Sequence, residues 1–146
     1  MKLISHRGNI SGKQPSLENT PDYIDNALEL GYDVEIDVWW HNESFYLGHD
    51  EPTYKIETKY LQDHRLWCHA KNGESLYQMR QYKDIHCFWH QEDDFTLTSE
   101  GFIWTFPKKS LYCNSICVLP EHGYKGDLTK CYGICSDNII DYKDII

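Results

Sequence analysis

The first forty residues spell a strand, a helix and a second strand, and that succession limits the fold more than any other feature of the chain. Lys2 to Ser5 is a short apolar run that ends at His6-Arg7-Gly8. Residues 9–19 are polar and contain Gly12 and Pro15. Thr20-Pro21 then marks a helix start. The Thr20 hydroxyl can accept from an open N–H, and Pro21 suits the first helical position because its missing N–H had no partner to lose. Tyr23, Ile24, Ala27, Leu28 and Leu30 give the helix an apolar stripe, and Gly31 ends it. Tyr32 to Trp40 alternates, with Val34, Ile36 and Val38 on one face and Glu35, Asp37 and Trp39 on the other. Such a unit implies parallel strands joined by a helical crossover.

The rest of the chain continues the strand pattern with fewer helices. His41-Asn42-Glu43 reads as a turn and Ser44 to Gly48 as a short returning strand. Leu66 to Ala70 is a third main strand, after a short helix over Thr58 to Gln62. A helix starting near Asn72 places Leu76, Met79 and Tyr82 on one side. Ile85 to Trp89, Phe102 to Phe106, Ser115 to Leu119 and Tyr132 to Ser136 are further strands. No repeat, low-complexity tract or linker interrupts the chain, so residues 1–146 are expected to form one domain. The expected class is α/β, a minimal barrel of the (β/α)8 kind with about seven or eight strands. A full barrel usually takes about 250 residues, so several helices must be missing.

Composition narrows the partners. With 14 basic and 23 acidic side chains the formal net charge is -9. That balance argues against non-specific nucleic-acid binding, which depends on Lys and Arg neutralising phosphates. No apolar run approaches the ~20 residues that span a bilayer. The opening residues pass directly into the His-Arg-Gly motif without a signal-peptide pattern, so the expected compartment is the cytoplasm. There are six cysteines, at 68, 87, 113, 117, 131 and 135. Four of them, Cys68, Cys87, Cys117 and Cys135, lie in apolar strand-like runs, where a free thiol packs as a small hydrophobe. The C-x3-C spacings 113/117 and 131/135 depart from the tighter zinc-ribbon spacing, which leaves a zinc-stabilised structural protein as a distant alternative.

Side chains two apart on a strand share a face, so Glu35 and Asp37 sit about 6–7 Å apart at Cα and aim at one point. Two convergent carboxylates repel unless a positive charge lies between them, and a hard divalent cation is a natural occupant. Trp67, His69 and Lys71 repeat the same spacing on the third strand. If the two strands are neighbours, His69 completes a metal site and Lys71 reaches a substrate oxygen. His6 and Arg7 also end a strand, where parallel α/β folds build their sites, and His49 follows the hairpin after Asp37.

Together these residues resemble the glycerophosphodiester phosphodiesterase family, within the phospholipase-C-like phosphodiesterase barrels. The matching pieces are His6-Arg7-Gly8, Glu18-Asn19-Thr20, Ala27 with Gly31, Glu35-x-Asp37 and Gly48-His49-Asp50, all within residues 3–50. Weaker echoes are His69-Ala70-Lys71, Ile103-Trp104-Thr105 and Gly133 to Asp137. The resemblance implies that His6 and His49 are an acid/base pair, that Arg7 binds the phosphate, and that Lys71 adds positive charge near phosphorus. It implies a divalent metal on Glu35 and Asp37, with Glu18 lining the same site. The family's third metal carboxylate is His69 here. Mg²⁺ or Ca²⁺ is the first expectation, and His69 opens the site to Mn²⁺ or Zn²⁺. Trp39 and Trp104 are expected to line the pocket.

The implied function is hydrolysis of a small phosphodiester, glycerophosphodiester-like or sugar-linked. The alternatives are a phospholipase-D-like variant on choline or ethanolamine phosphodiesters, and a non-catalytic phosphate-binding module. The loop His90 to Asp94 and Glu121 follow strands on the same side, as solvated acids or as site neighbours. Few helices leave apolar surface that a homodimer would cover.

Overall fold

The computed structural model of the chain describes residues 1–145. Strand β1 (Lys2–His6) lies between β2 (Asp33–His41) and the last strand, β10 (Gly133–Ser136), and is parallel to both. Helix α1 (Pro21–Glu29) makes the crossover from β1 to β2, with the Thr20 side chain accepting from Tyr23 N–H and Pro21 opening the first turn. β5 (Leu66–Ala70) and β6 (Cys87–Trp89) extend the parallel set beyond β2. β9 (Ser115–Val118) and β8 (Ile103–Thr105) extend it beyond β10. The parallel order is therefore β6-β5-β2-β1-β10-β9-β8. The sheet is curled and barrel-like, and helices cover only part of it.

Three short antiparallel strands decorate this arc. β3 (Ser44–Leu47) returns from β2 through Asn42 and Glu43, both at positive φ, and β4 (Tyr54–Ile56) pairs with β3. β7 (Phe95–Leu97) pairs with β8 and touches the other end of the arc, where Thr96 Oγ1 donates to Trp89 O at 2.7 Å and Ser99 N–H to Cys87 O at 2.8 Å. The ten strands exceed the seven or eight expected from sequence by β4 and β7, short strands with no fully buried side chain, so no core-facing apolar run marks them. Short α2 (Thr58–Leu61) precedes β5, and α3 (Gly73–Met79) joins β5 to β6. The second half uses 3-10 turns at Pro120–His122, Leu128–Lys130 and Ile139–Tyr142 in place of crossover helices. Among the described residues no helix is long and apolar enough to cross a membrane.

Both faces of the central strands are buried, as parallel sheets require. On the outer face Val34, Ile36, Val38, Leu66 and Cys68 join Ile24, Ala27 and Leu28 of α1 and Met79 of α3 in one cluster. On the inner face Ile4, Trp67, Phe88, Trp104, Ile116, Val118 and Cys135 meet, although they come from six different strands. Residues of opposite ends of the arc meet directly, Phe88 packing tilted against Trp104 at 4.6 Å between ring centroids. The curl is thus filled by aromatic side chains rather than hollow. The Trp67 N–H is satisfied by Asp33 Oδ2 at 2.9 Å, and Asp33 in turn is paired with Lys2 at 3.4 Å. All six cysteines are free thiols, five of them buried and Cys113 exposed.

Candidate active site

Parallel strands place their C-terminal ends at one mouth, and the register fixes which side chains meet there. His6 pairs with Glu35, Glu35 with Trp67, and Asp37 with His69. Ile4 pairs with Cys135, so Asp137 arrives beside His6 from the far end of the chain. The aromatic cluster floors this mouth, and the polar groups stand above it.

Glu35 and Asp37 are 2% and 0% exposed. His69 Nδ1 lies 3.7 Å from Glu35 Oε1 and 3.2 Å from Asp37 Oδ1, while Lys71 Nζ is 3.9 Å from Asp37 Oδ1. Arg7 Nε is 3.1 Å from Asp37 Oδ2, and Arg7 Nη1 donates to Glu18 Oε1 at 3.2 Å. Asn19 clamps Asp37 twice, donating to Oδ2 and accepting from its backbone N–H, both at 2.9 Å. Glu35 Oε2 and Asp37 Oδ1 are buried without a hydrogen-bond partner. Buried polar atoms are normally paired, so these two oxygens are free to serve as ligands to a cation. One ligand atom from each of Glu35, Asp37 and His69 lies within 4.8 Å of the others. Two carboxylate oxygens and one imidazole nitrogen form a donor set that fits a divalent ion.

His6 is held by a second network. Its Nδ1–H donates to Asp137 Oδ1 at 2.7 Å, which leaves Nε2 facing the site, 3.6 Å from Glu35 Oε2. Asn9 Nδ2 donates to the same Asp137 oxygen at 2.8 Å, and Tyr23 donates to Asn9 Oδ1 at 3.1 Å. Glu121 Oε1 accepts from Asp137 N–H at 3.0 Å and from Ser136 Oγ at 2.9 Å. Such a carboxylate fixes the tautomer and ring orientation of a histidine.

Burial works against charge throughout this region, and local partners overcome it. For His6, the bond to Asp137 and the charge of Glu35 outweigh burial and raise its pKa above the ordinary value. Burial likewise opposes the His69 imidazolium, but Asp37 and Glu35 lift its pKa to about 9. Burial would raise the Asp37 carboxyl, yet His69 and Arg7 hold it well below the usual carboxylate range. Asp137 is lowered in the same way, with His6 overcoming its burial.

The backbone at the mouth is tight. Arg7 and Asn19 both adopt positive φ, 58° and 63°, unusual for residues other than glycine. Gly8 follows at φ 96°, and a Cβ there would lie 2.7 Å from Tyr23 Cδ1. Gly48, whose N–H donates to Asp37 O at 3.2 Å, has no room for a Cβ against Glu51 O. The chain therefore needs glycine at both turns that carry the histidines.

The residues expected from sequence are not all in one contact network. His6, Arg7, Glu18, Glu35, Asp37, His69 and Lys71 are linked side chain to side chain. His49 is half-exposed and bonded to Asp50 at 2.7 Å. It shares with Arg7, Lys13, Glu18, Asn19 and Tyr54 a cleft of about 350 Å³ beside the cluster. Trp39 donates to Gly48 O at 2.6 Å and so steadies the loop before His49. Trp104, expected at the pocket wall, is 5% exposed and packs in the aromatic floor. The His90 carbonyl accepts from His69 Nε2 at 2.8 Å, which gives the loop after β6 a role in orienting that ring. A larger hollow of about 670 Å³ opens at the opposite end of the strands, near Lys2, Asp33, Cys113 and Tyr132, away from these groups.

Sequence reasoning missed Asp137, Asn9 and Asn19 as orienting residues. A signal for Asp137 existed, since it ends the last apolar run as His6 ends the first. Asn19 gave none beyond its place in the Glu-Asn-Thr motif, because its contact is made across the sheet mouth. Comparisons of the chain with protein-family models, with curated proteins and with solved structures find no match.

Proposed function

We propose that this protein is a metal-dependent phosphodiesterase acting on a small phosphodiester, of the kind implied by its resemblance to the glycerophosphodiester phosphodiesterases. The observation that carries the reading is the convergence of His6, Arg7, Glu35, Asp37, His69 and Lys71 at one strand mouth, with two buried carboxylate oxygens unpartnered. In this reading the fold is a reduced phospholipase-C-like barrel.

Each group has a chemical task. Glu35, Asp37 and His69 would hold a divalent ion, which when bound supplies Lewis-acid polarisation of the phosphoryl group. Arg7 is charge-paired with Asp37 at 3.1 Å and donates to Glu18 through Nη1, which leaves Nη2 to donate to a phosphate's non-bridging oxygens. Lys71 adds a second cation on the same side. A hydroxyl, from water or from the substrate itself, attacks phosphorus and gives its proton to one histidine of the His6/His49 pair. The bond from phosphorus to the leaving oxygen breaks, and the other histidine protonates that oxygen. Where the attacking hydroxyl belongs to the substrate, the first product is a cyclic phosphate that water opens. Asp137 keeps the His6 Nε2 aimed at the reacting atoms.

The test is release of alcohol or phosphomonoester from a panel of glycerophosphodiesters and sugar-linked phosphodiesters. Chelated protein is resupplied with Mg²⁺, Ca²⁺, Mn²⁺ or Zn²⁺, with His6→Ala as control. Metal-dependent turnover that disappears in His6→Ala is the expected result. Tight phosphodiester binding without turnover under any metal overturns it in favour of a binding module.

A further inference from the structure

We infer that the Glu35/Asp37/His69 site selects a transition-metal ion such as Mn²⁺ over Mg²⁺ and Ca²⁺, with His69 Nδ1 as a direct ligand. This rests on the metal-dependent reading above and names the class of ion.

The inference starts from the orientation of one ring. His69 Nε2–H is committed to the His90 carbonyl at 2.8 Å. His90 is itself tied down, its Nε2 bonded to Asp93 O at 2.8 Å. The His69 ring also lies nearly parallel to Phe88, with 6° between planes and 5.2 Å between centroids. Flipping the ring would break the carbonyl bond and put a C–H against it. With Nε2–H committed to the carbonyl, Nδ1 is the nitrogen left to bind an ion, releasing its own proton on binding, and it is the atom that faces Glu35 Oε1 and Asp37 Oδ1. A backbone carbonyl that fixes the tautomer of a metal-binding histidine is a recurrent arrangement.

The oxygen supply points the same way. Ca²⁺ takes six to eight oxygen ligands, and Mg²⁺ binds through carboxylates and water. This site offers two carboxylates only. Asp137 binds His6 and Asn9 through Oδ1 and stands outside the group of ligand atoms formed by Glu35, Asp37 and His69, and Glu18 is paired with Arg7. The charge of Asp37 is further offset by Arg7 at 3.1 Å and Lys71 at 3.9 Å. An ion held by charge alone loses most from these cations, whereas one that also bonds to imidazole nitrogen keeps a directional contact. The unpartnered Glu35 Oε2 and Asp37 Oδ1 provide the oxygens such an ion requires.

The experiment uses the full chain, stripped with chelator and titrated with Mn²⁺. Free Mn²⁺ is followed by electron paramagnetic resonance and the bound ion by its nitrogen coupling in pulsed spectra. One ion per chain is expected, with coupling that changes when isotope-labelled histidine is supplied. Mg²⁺ or Ca²⁺ in roughly hundredfold excess should leave most of the Mn²⁺ bound. His69→Glu should lose the coupling and lower the preference for Mn²⁺ over Ca²⁺ by at least about tenfold. Bound Mn²⁺ without nitrogen coupling, or equal competition by Ca²⁺, overturns the inference. If His69→Glu does not fold, His6→Gln decides the matter, because coupling that persists there comes from His69 and coupling lost there overturns the inference. Nitrogen-coupled Mn²⁺ in a protein that cleaves no phosphodiester leaves this inference standing and defeats the proposed activity instead.

Discussion

His86 should make the protein lose stability in mild acid. Its side chain sits under the aromatic floor, 2% exposed, 4.3 Å from the Trp67 ring and 5.9 Å from Phe102. Burial pushes its pKa down from 6.5 to about 4. The folded state therefore keeps His86 neutral where the unfolded chain would protonate it. This contribution to stability is present above pH 6.5 and is lost as pH falls towards 4. The difference between the two values corresponds to about 3 kcal/mol in total, of which about 2 kcal/mol disappears between pH 7 and pH 5. Asp37 and Asp137 are held below the ordinary carboxylate range, so their losses come further into acid.

Urea unfolding of wild type and His86→Phe at pH 7 and pH 5 isolates this effect. Phenylalanine preserves the ring packing but leaves the Thr98 hydroxyl, now 2.7 Å from His86 Nε2, without that partner. The variant should be about 1 kcal/mol less stable at pH 7, and should lose about 2 kcal/mol less than wild type on moving to pH 5. Parallel pH dependences for the two proteins would refute the reasoning.

Further expectations concern the site. Asn19→Ala removes both contacts to Asp37 and should cost about 2–3 kcal/mol, read as a lower urea midpoint, together with weaker Mn²⁺ binding. Asp137→Asn keeps the shape but loses the charge that orients His6, so turnover should fall on the order of a hundredfold and its pH profile should shift. His49→Ala alters a half-exposed side chain and should abolish turnover while changing stability by less than about 0.5 kcal/mol in urea. In metal-free protein the raised His6 and His69 add stability below pH 6.5. That contribution should fade as pH rises through about 9, visible as a falling thermal midpoint.

The parts legible in the sequence are those that local physics fixes. Thr20-Pro21 starts α1 and Gly31 ends it because capping and φ preference act within a few residues. Glu35 and Asp37 share a face by strand alternation alone, and register with His69 followed once β2 and β5 were neighbours. What stayed hidden is set by partners distant in the chain. Asp137 acquires its role only through the β1–β10 pairing, and Trp104 turned from pocket wall to floor because opposite ends of the arc pack against each other. The orienting carbonyl of His90 is backbone, which no side-chain pattern announces.

The pairing of β1 with β10 has a consequence for how the protein is made. His6 and the carboxylate that aims it stand 131 residues apart in the chain, so synthesis delivers them at different times. Until residues 133–136 are available, β1 has one unpaired edge and His6 lacks the carboxylate that holds its ring. A nascent chain can thus assemble the β2/β5 acids and α1 before His6 is oriented. Under the proposed activity, fragments that lack β10 would be silent rather than partly active.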